Sequence, residues 1–172
     1  VGGANSIVND PVASVSYNLP LQFGLLEAGL RAKVDRVGFI SSSYVYPHTG
    51  KPNVEEEGFQ GDPWKPMNYG LGWIKRYLET VCKFFHMTSN TKYAIVRPAS
   101  MYGPHDNFDL ETCHAVPALI RKFAEKMNPL EVWGDGSELR CHTYIDDLVD
   151  GLLLVTERYA VGEALNVCHD KP

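Results

Sequence analysis

Apolar positions change period along the chain, and each change marks an element. Val12, Val15, Leu19, Phe23, Leu26 and Leu30 recur at spacings of three and four, predicting a largely buried helix over 12–30. Pro20 fits a first turn better than a helix interior, so the helix is expected to start later than the pattern does. Arg36-Val-Gly-Phe-Ile-Ser-Ser reads as a short strand whose carboxyl end opens into hydroxyl side chains. Residues 47–68 carry Pro47, Pro52, Pro63, Pro66 and the acidic run Glu55–Glu57, an irregular surface segment. Leu71, Ile74, Leu78, Val81 and Phe85 then predict a helix over 71–86, and Lys92–Pro98 a strand that proline closes.

Beyond that strand the pattern predicts a long loop from Ala99 to Cys113 and a helix over Val116–Met127. It continues with a strand at Leu130–Trp133, a turn at Gly134-Asp-Gly-Ser and a strand at Cys141–Ile145. A helix capped by Asp146 or Asp147 runs through Val155, and Leu165–Cys168 is a final strand. Strands alternating with helices predict an α/β fold with parallel strands.

Composition narrows the partners. The 172 residues hold 16 Lys plus Arg against 21 Asp plus Glu, a formal charge of −5, so no basic nucleic-acid surface is expected. No apolar run reaches the roughly 20 residues needed to cross a bilayer, so no membrane partner is expected. Cys82, Cys113, Cys141 and Cys168 are widely spaced and form no CxxC, the usage of free thiols in a reducing compartment. With no export signal visible, a cytoplasmic location is expected.

Several residues could carry chemistry, each with a plainer alternative. Ser41-Ser-Ser-Tyr-Val-Tyr-Pro stands at a strand exit, where open α/β sheets bind ligands, though serines there also satisfy their own backbone. Lys75 precedes Glu79 by four residues, the spacing of a surface ion pair or of a lysine directed into a pocket. His105 to His114 holds nitrogen, oxygen and sulfur donors without a recognised metal spacing, so no metal is assigned. His114 suits proton transfer near neutrality, and Arg140 could grip a phosphate or simply be solvated. Neither GxGxxG nor a P-loop is present.

Four stretches in order resemble the extended short-chain dehydrogenase/reductase family, in its nucleotide-sugar epimerase/dehydratase branch. They are Arg36-Val-Gly-Phe-Ile-Ser-Ser-Ser-Tyr-Val-Tyr-Pro, Gly72-Trp-Ile-Lys-Arg-Tyr-Leu-Glu, Arg97-Pro-Ala-Ser-Met-Tyr-Gly-Pro, and Gly134-Asp-Gly-Ser with Arg140 and Tyr144-Ile-Asp-Asp. Val1-Gly-Gly-Ala-Asn, Tyr102-Gly-Pro-His-Asp-Asn-Phe and His114-Ala-Val-Pro-Ala-Leu-Ile-Arg-Lys-Phe are most similar to the GDP-L-fucose synthase subfamily. The resemblance implies a partial Rossmann-type parallel sheet with a smaller substrate-binding region. The implied divisions are 1–112 with the catalytic helix, 113–162 for substrate, and 163–172 returning to the sheet.

The resemblance also implies roles. Ser42 falls at the catalytic hydroxyl, and Lys75 at the lysine of Tyr-x-x-x-Lys, holding the nicotinamide ribose. The tyrosine position is Leu71, which cannot transfer a proton. Tyr69 lies two residues earlier, about 200° away around a regular helix, so only a bend or late helix start would let it substitute. Tyr44 occupies the place of an epimerisation cysteine, while His114 matches the other epimerisation acid/base. Arg97 and Pro98 are implied at the cofactor, and Asn107 and Arg140 at the substrate, Arg140 on its pyrophosphate.

The expected activity is that of a GDP-4-keto-6-deoxymannose 3,5-epimerase/4-reductase using NADP or NAD. The alternatives are a UDP- or dTDP-sugar epimerase/dehydratase, or a non-catalytic nucleotide-sugar-binding remnant. The chain begins beyond the region where the family keeps its glycine-rich turn, so a fragment is expected. Such a piece would expose a sheet edge and need a missing N-terminal segment or a homodimer for stability.

Overall fold

A computed structural model describes residues 10–63, 69–132, 134–136 and 139–169. The opening Val1–Asn5 and Trp133 of the predicted strand at 130–133 lie outside these residues.

The helix predicted over 12–30 is two helices, α1 (Pro11–Ser16) and α2 (Asn18–Arg31), with Tyr17 between them. Asp10 starts α1 by accepting a hydrogen bond from the Ala13 amide at 2.9 Å. Pro20 is the third residue of α2, where a missing N–H costs no intrahelical bond. Strand β1 (Arg36–Ile40) ends sooner than its apolar run suggested. Two short 3₁₀ turns, Ser43–Val45 and Glu55–Phe59, interrupt the irregular segment. Helix α3 (Tyr69–Thr88) and strand β2 (Lys92–Pro98) lie where the periodicity put them.

The second half departs further from its pattern. Strand β3 (Ser100–Tyr102) lies inside the predicted long loop. Helix α4 (Ala115–Ala124) stops short of Met127. No strand forms at the described residues 130–132, and the Glu131 carbonyl accepts from Lys122 Nζ at 2.7 Å. Strand β4 (His142–Tyr144) leads directly into helix α5 (Ile145–Arg158), which Tyr144 opens without a side-chain cap. Asp146 and Asp147 sit in its first turn, favourable to the helix dipole but not capping it. Strand β5 (Ala164–Val167) ends the fold.

Strands β1, β2 and β5 form one parallel sheet in the order β1-β2-β5, while β3 and β4 pair in parallel as a second, small sheet. β2 is central and buried on both faces, so its side chains feed two cores by alternation. Tyr93 and Ile95 pack with Phe39, Leu26, Leu78 and Phe85 beneath α2 and α3. Ala94 and Val96 pack with Leu152, Val155 and Leu165 beneath α5. Helices thus cover both faces, and among the described residues β1 and β5 are the sheet's edges. No described helix is long and apolar enough to cross a membrane.

Candidate active site

The carboxyl end of β1 is built from a chain of serines held by α3. The Ser41 amide donates to the Val96 carbonyl at 2.7 Å, extending the pairing with β2, and its hydroxyl donates to Glu79. Ser42 then has extended backbone and caps the 3₁₀ turn, its Oγ accepting from the Tyr44 amide at 3.1 Å. Arg76 pins that turn from below, donating to the Val45 carbonyl from Nε at 2.9 Å and Nη2 at 2.6 Å. Gly72 allows the close seat, because a Cβ there would lie 2.4 Å from the Tyr44 carbonyl and 2.5 Å from Pro63 Cβ.

Lys75 reaches the same strand end. Its Nζ donates to the Ile40 carbonyl and to Gln22 Oε1, each at 2.7 Å, and lies 5.0 Å from the centre of the Phe39 ring. Burial lowers the ammonium's pKa from 10.5 to about 8, with Glu79 and Cys82 opposing the shift. Ser42 and Lys75 therefore share one strand exit. Gln22 escaped the sequence reading, which had no means of bringing α2 against α3.

The surface Lys75–Glu79 ion pair does not form. Glu79 is buried and receives two hydrogen bonds from Arg97, Nε to Oε1 at 2.9 Å and Nη2 to Oε2 at 2.7 Å. Arg97 also donates to the Tyr46 hydroxyl at 2.8 Å and the Glu55 carbonyl at 2.9 Å. The Tyr46 hydroxyl donates onward to Asn166 at 2.7 Å, and Glu55 accepts from the Asn166 amide at 2.8 Å. Burial alone would lower the Arg97 pKa, but hydrogen bonds and charge from Glu79, followed by Tyr46, raise it. The Arg97 guanidinium is committed to this network, its donors held by Glu79, Tyr46 and the Glu55 carbonyl. Pro98, the last residue of β2, is buried beside Val167 of β5. Glu79 was findable: positions 71, 74, 75, 78, 79 and 82 form one helical stripe, with Lys75 and Glu79 inside it.

The other candidates are placed as follows. Tyr69 is the first residue of α3, and its ring meets Trp73 edge-on at 6.2 Å, one turn along the helix. Trp73 lies about 200° around that helix from Lys75. Leu71 is buried at 6% exposure. Tyr44 is half-buried within the 3₁₀ turn. Asn107 uses its amide inside its own loop, donating to Thr112 at 2.8 Å and accepting from the Asp109 amide at 3.0 Å.

His114 is the N-cap residue of α4 and is exposed, its side chain making no capping bond. Arg140 is exposed just before β4, where, after burial, its charge also lowers the pKa of His142. No described group of His, Cys, Asp and Glu could hold a metal ion.

Comparison with known proteins places this arrangement. Residues 1–168 match the NAD dependent epimerase/dehydratase family. A GDP-L-fucose synthase of Sinorhizobium fredii is 29% identical over 171 residues, covering 97% of this chain and 54% of that protein. Probable GDP-L-fucose synthase 1 of Oryza sativa subsp. japonica is 31% identical, with coverage of 97% and 52%. The chain spans about half the length of these relatives. A GDP-L-fucose synthetase of Naegleria fowleri bound to NADP shares the fold, with a TM-score of 0.84 at 24% identity over 92% of this chain and 53% of that one. The serine-rich strand exit, the lysine-bearing helix and the parallel sheet joining them thus have a shared origin: the chain belongs to the NAD dependent epimerase/dehydratase family.

Proposed function

We propose that this chain forms the substrate-converting part of a nucleotide-sugar epimerase/reductase, with a GDP-linked 4-keto-6-deoxy sugar as substrate and NADP or NAD as hydride carrier. The observation that carries the reading is that Lys75 Nζ donates to the carbonyl of Ile40, two residues before Ser42, at the carboxyl end of β1, where parallel sheets bind ligands. The relatives named as GDP-L-fucose synthases supply the sugar class.

In this reading Ser42 keeps its Oγ accepting from the Tyr44 amide and donates its O–H to the sugar oxygen that changes between ketone and alcohol. His114 exchanges the proton on the carbon beside it, and Arg140 holds the pyrophosphate. Lys75 stands beside the place for the nicotinamide ribose, its Nζ keeping Gln22 Oε1 and the Ile40 carbonyl as partners. Pro98 and the backbone of Arg97 border that place. When bound, a reduced nicotinamide would supply the hydride for the carbonyl carbon. The described residues fit this end of the cofactor alone, since the chain carries no GxGxxG turn for its pyrophosphate.

Calorimetry with NADPH and with a GDP-sugar, followed by turnover of the 4-keto sugar, tests the reading. Ser42→Ala and His114→Ala are expected to lower kcat by about a hundredfold or more. A chain that binds neither ligand rejects it. A second reading, a binding subunit that holds the nucleotide sugar without converting it, is favoured by buried Leu71 and by Tyr69 meeting Trp73. Sugar affinity without turnover or cofactor affinity selects it.

A further inference from the structure

The protein gives the Lys75 nitrogen two acceptors, and both are neutral: Gln22 Oε1 from α2 and the Ile40 carbonyl from β1. A neutral amine satisfies both with its two N–H bonds and keeps a lone pair. The ammonium satisfies both and has a third N–H left for a ligand. Neither protonation state therefore breaks the local hydrogen bonding. A lysine seated against a carboxylate could not do this, because losing the proton would discard its counter-ion.

The groups around the nitrogen are few. From its own helix come Glu79 and the buried thiol of Cys82, from α2 the Gln22 amide with Asn18 behind it, and from β1 the Phe39 ring and the Ile40 carbonyl. Glu79 is the one carboxylate among them, and Arg97 and Ser41 already hold it. Lys75 makes no ion pair among the described residues.

We propose that Lys75, held by Gln22 and the Ile40 carbonyl, is itself the proton-exchanging group of this strand exit. The proposal rests on the epimerase/reductase reading for its substrate, a carbonyl compound, and deepens it by naming the acid. As negative charge gathers on the ligand oxygen, the third N–H bond breaks and an O–H bond forms. The nitrogen is left as a neutral amine and recovers its proton from water. The hydride that completes a carbonyl reduction comes from the reduced nicotinamide named above. The nitrogen's burial supports the geometry, since it brings ammonium and amine into balance at about pH 8. Gln22 acts through Lys75 and is a positioning residue.

The test follows the nitrogen directly. In the intact chain, uniformly ¹³C-labelled and chemically unmodified, the lysine Cε signals are titrated by NMR, and Lys75→Arg identifies the Lys75 signal. A midpoint near 8 is expected, with the surface lysines titrating above about 10; a Lys75 midpoint among the surface lysines overturns the proposal. Gln22→Glu places a carboxylate beside the nitrogen and should move the midpoint up by a unit or more. The alkaline limb of kcat should move with it while KM holds, and Lys75→Arg should cut kcat by about a hundredfold. A limb that stays in place while the midpoint moves overturns the proposal. Absence of turnover at every pH overturns the enzyme reading and the proposal together, whereas turnover with an alkaline limb that ignores the Lys75 midpoint overturns the proposal alone.

Discussion

Arg97 and Glu79 show how one buried pair ties the site to the rest of the fold. Each side chain is 3% exposed, and together with Tyr46, Glu55 and Asn166 they join α3, β2, β5 and both 3₁₀ turns. Removing one partner leaves a buried charge alone, so Arg97→Met should cost about 3–5 kcal/mol in urea unfolding. The double variant Arg97→Met/Glu79→Leu should lose less than Arg97→Met alone. Lys75 works in the opposite sense. Its folded pKa of about 8 lies below the unfolded value of 10.5, so the unfolded chain binds more protons between those pH values. This group's cost to stability is full below pH 8 and fades as pH rises to 10.5, a span worth on the order of 3 kcal/mol. Cys82 and Tyr93, both raised to about 12 by burial, pull stability the other way as pH rises. The difference in unfolding free energy between the protein and Lys75→Met therefore isolates the lysine, and it should shrink across pH 8–10.5.

At the scale of elements, the contact between the Ser43–Val45 turn and α3 decides where Ser42 stands. Gly72→Ala places a methyl against the Tyr44 carbonyl and Pro63 and should destabilise by roughly 1–3 kcal/mol. Gly24, inside α2, meets nothing within 4 Å, so Gly24→Ala should stabilise by about 0.5–1 kcal/mol. Thermal unfolding of the two variants checks both signs. The period of three and four revealed α3 because its buried face is long and regular. β2 was legible because every residue from Tyr93 to Pro98 is buried. β3 escaped notice because three half-exposed residues carry no periodicity, and pairing with β4 alone makes them a strand.

At the scale of the whole molecule, the described residues form a sheet of three parallel strands with β1 at one edge, small for the apolar surface its helices must cover. Val12, Leu21, Leu25, Tyr77 and Phe84 are each more than half exposed. Sedimentation across a concentration series should show self-association, as expected where unpaired strand groups and apolar side chains face solvent; a monomer at every concentration would count against it. The four thiols offer an independent check of packing. Cys168 is exposed and Cys82 is wholly buried, so iodoacetamide should modify Cys168 in the native chain and Cys82 only after unfolding.

The sequence by itself determined the α/β class, the strand exit at Ser42 and the helix bearing Lys75. These depend on local periodicity and on motifs that neighbouring residues complete. Tertiary structure alone decided that Glu79 belongs to Arg97, that Gln22 belongs to Lys75, and that the predicted strand at 130–133 finds no partner at its described residues. Hydrogen bonds between residues dozens of positions apart depend on which helix lies over which strand, and no local pattern of side chains encodes that placement.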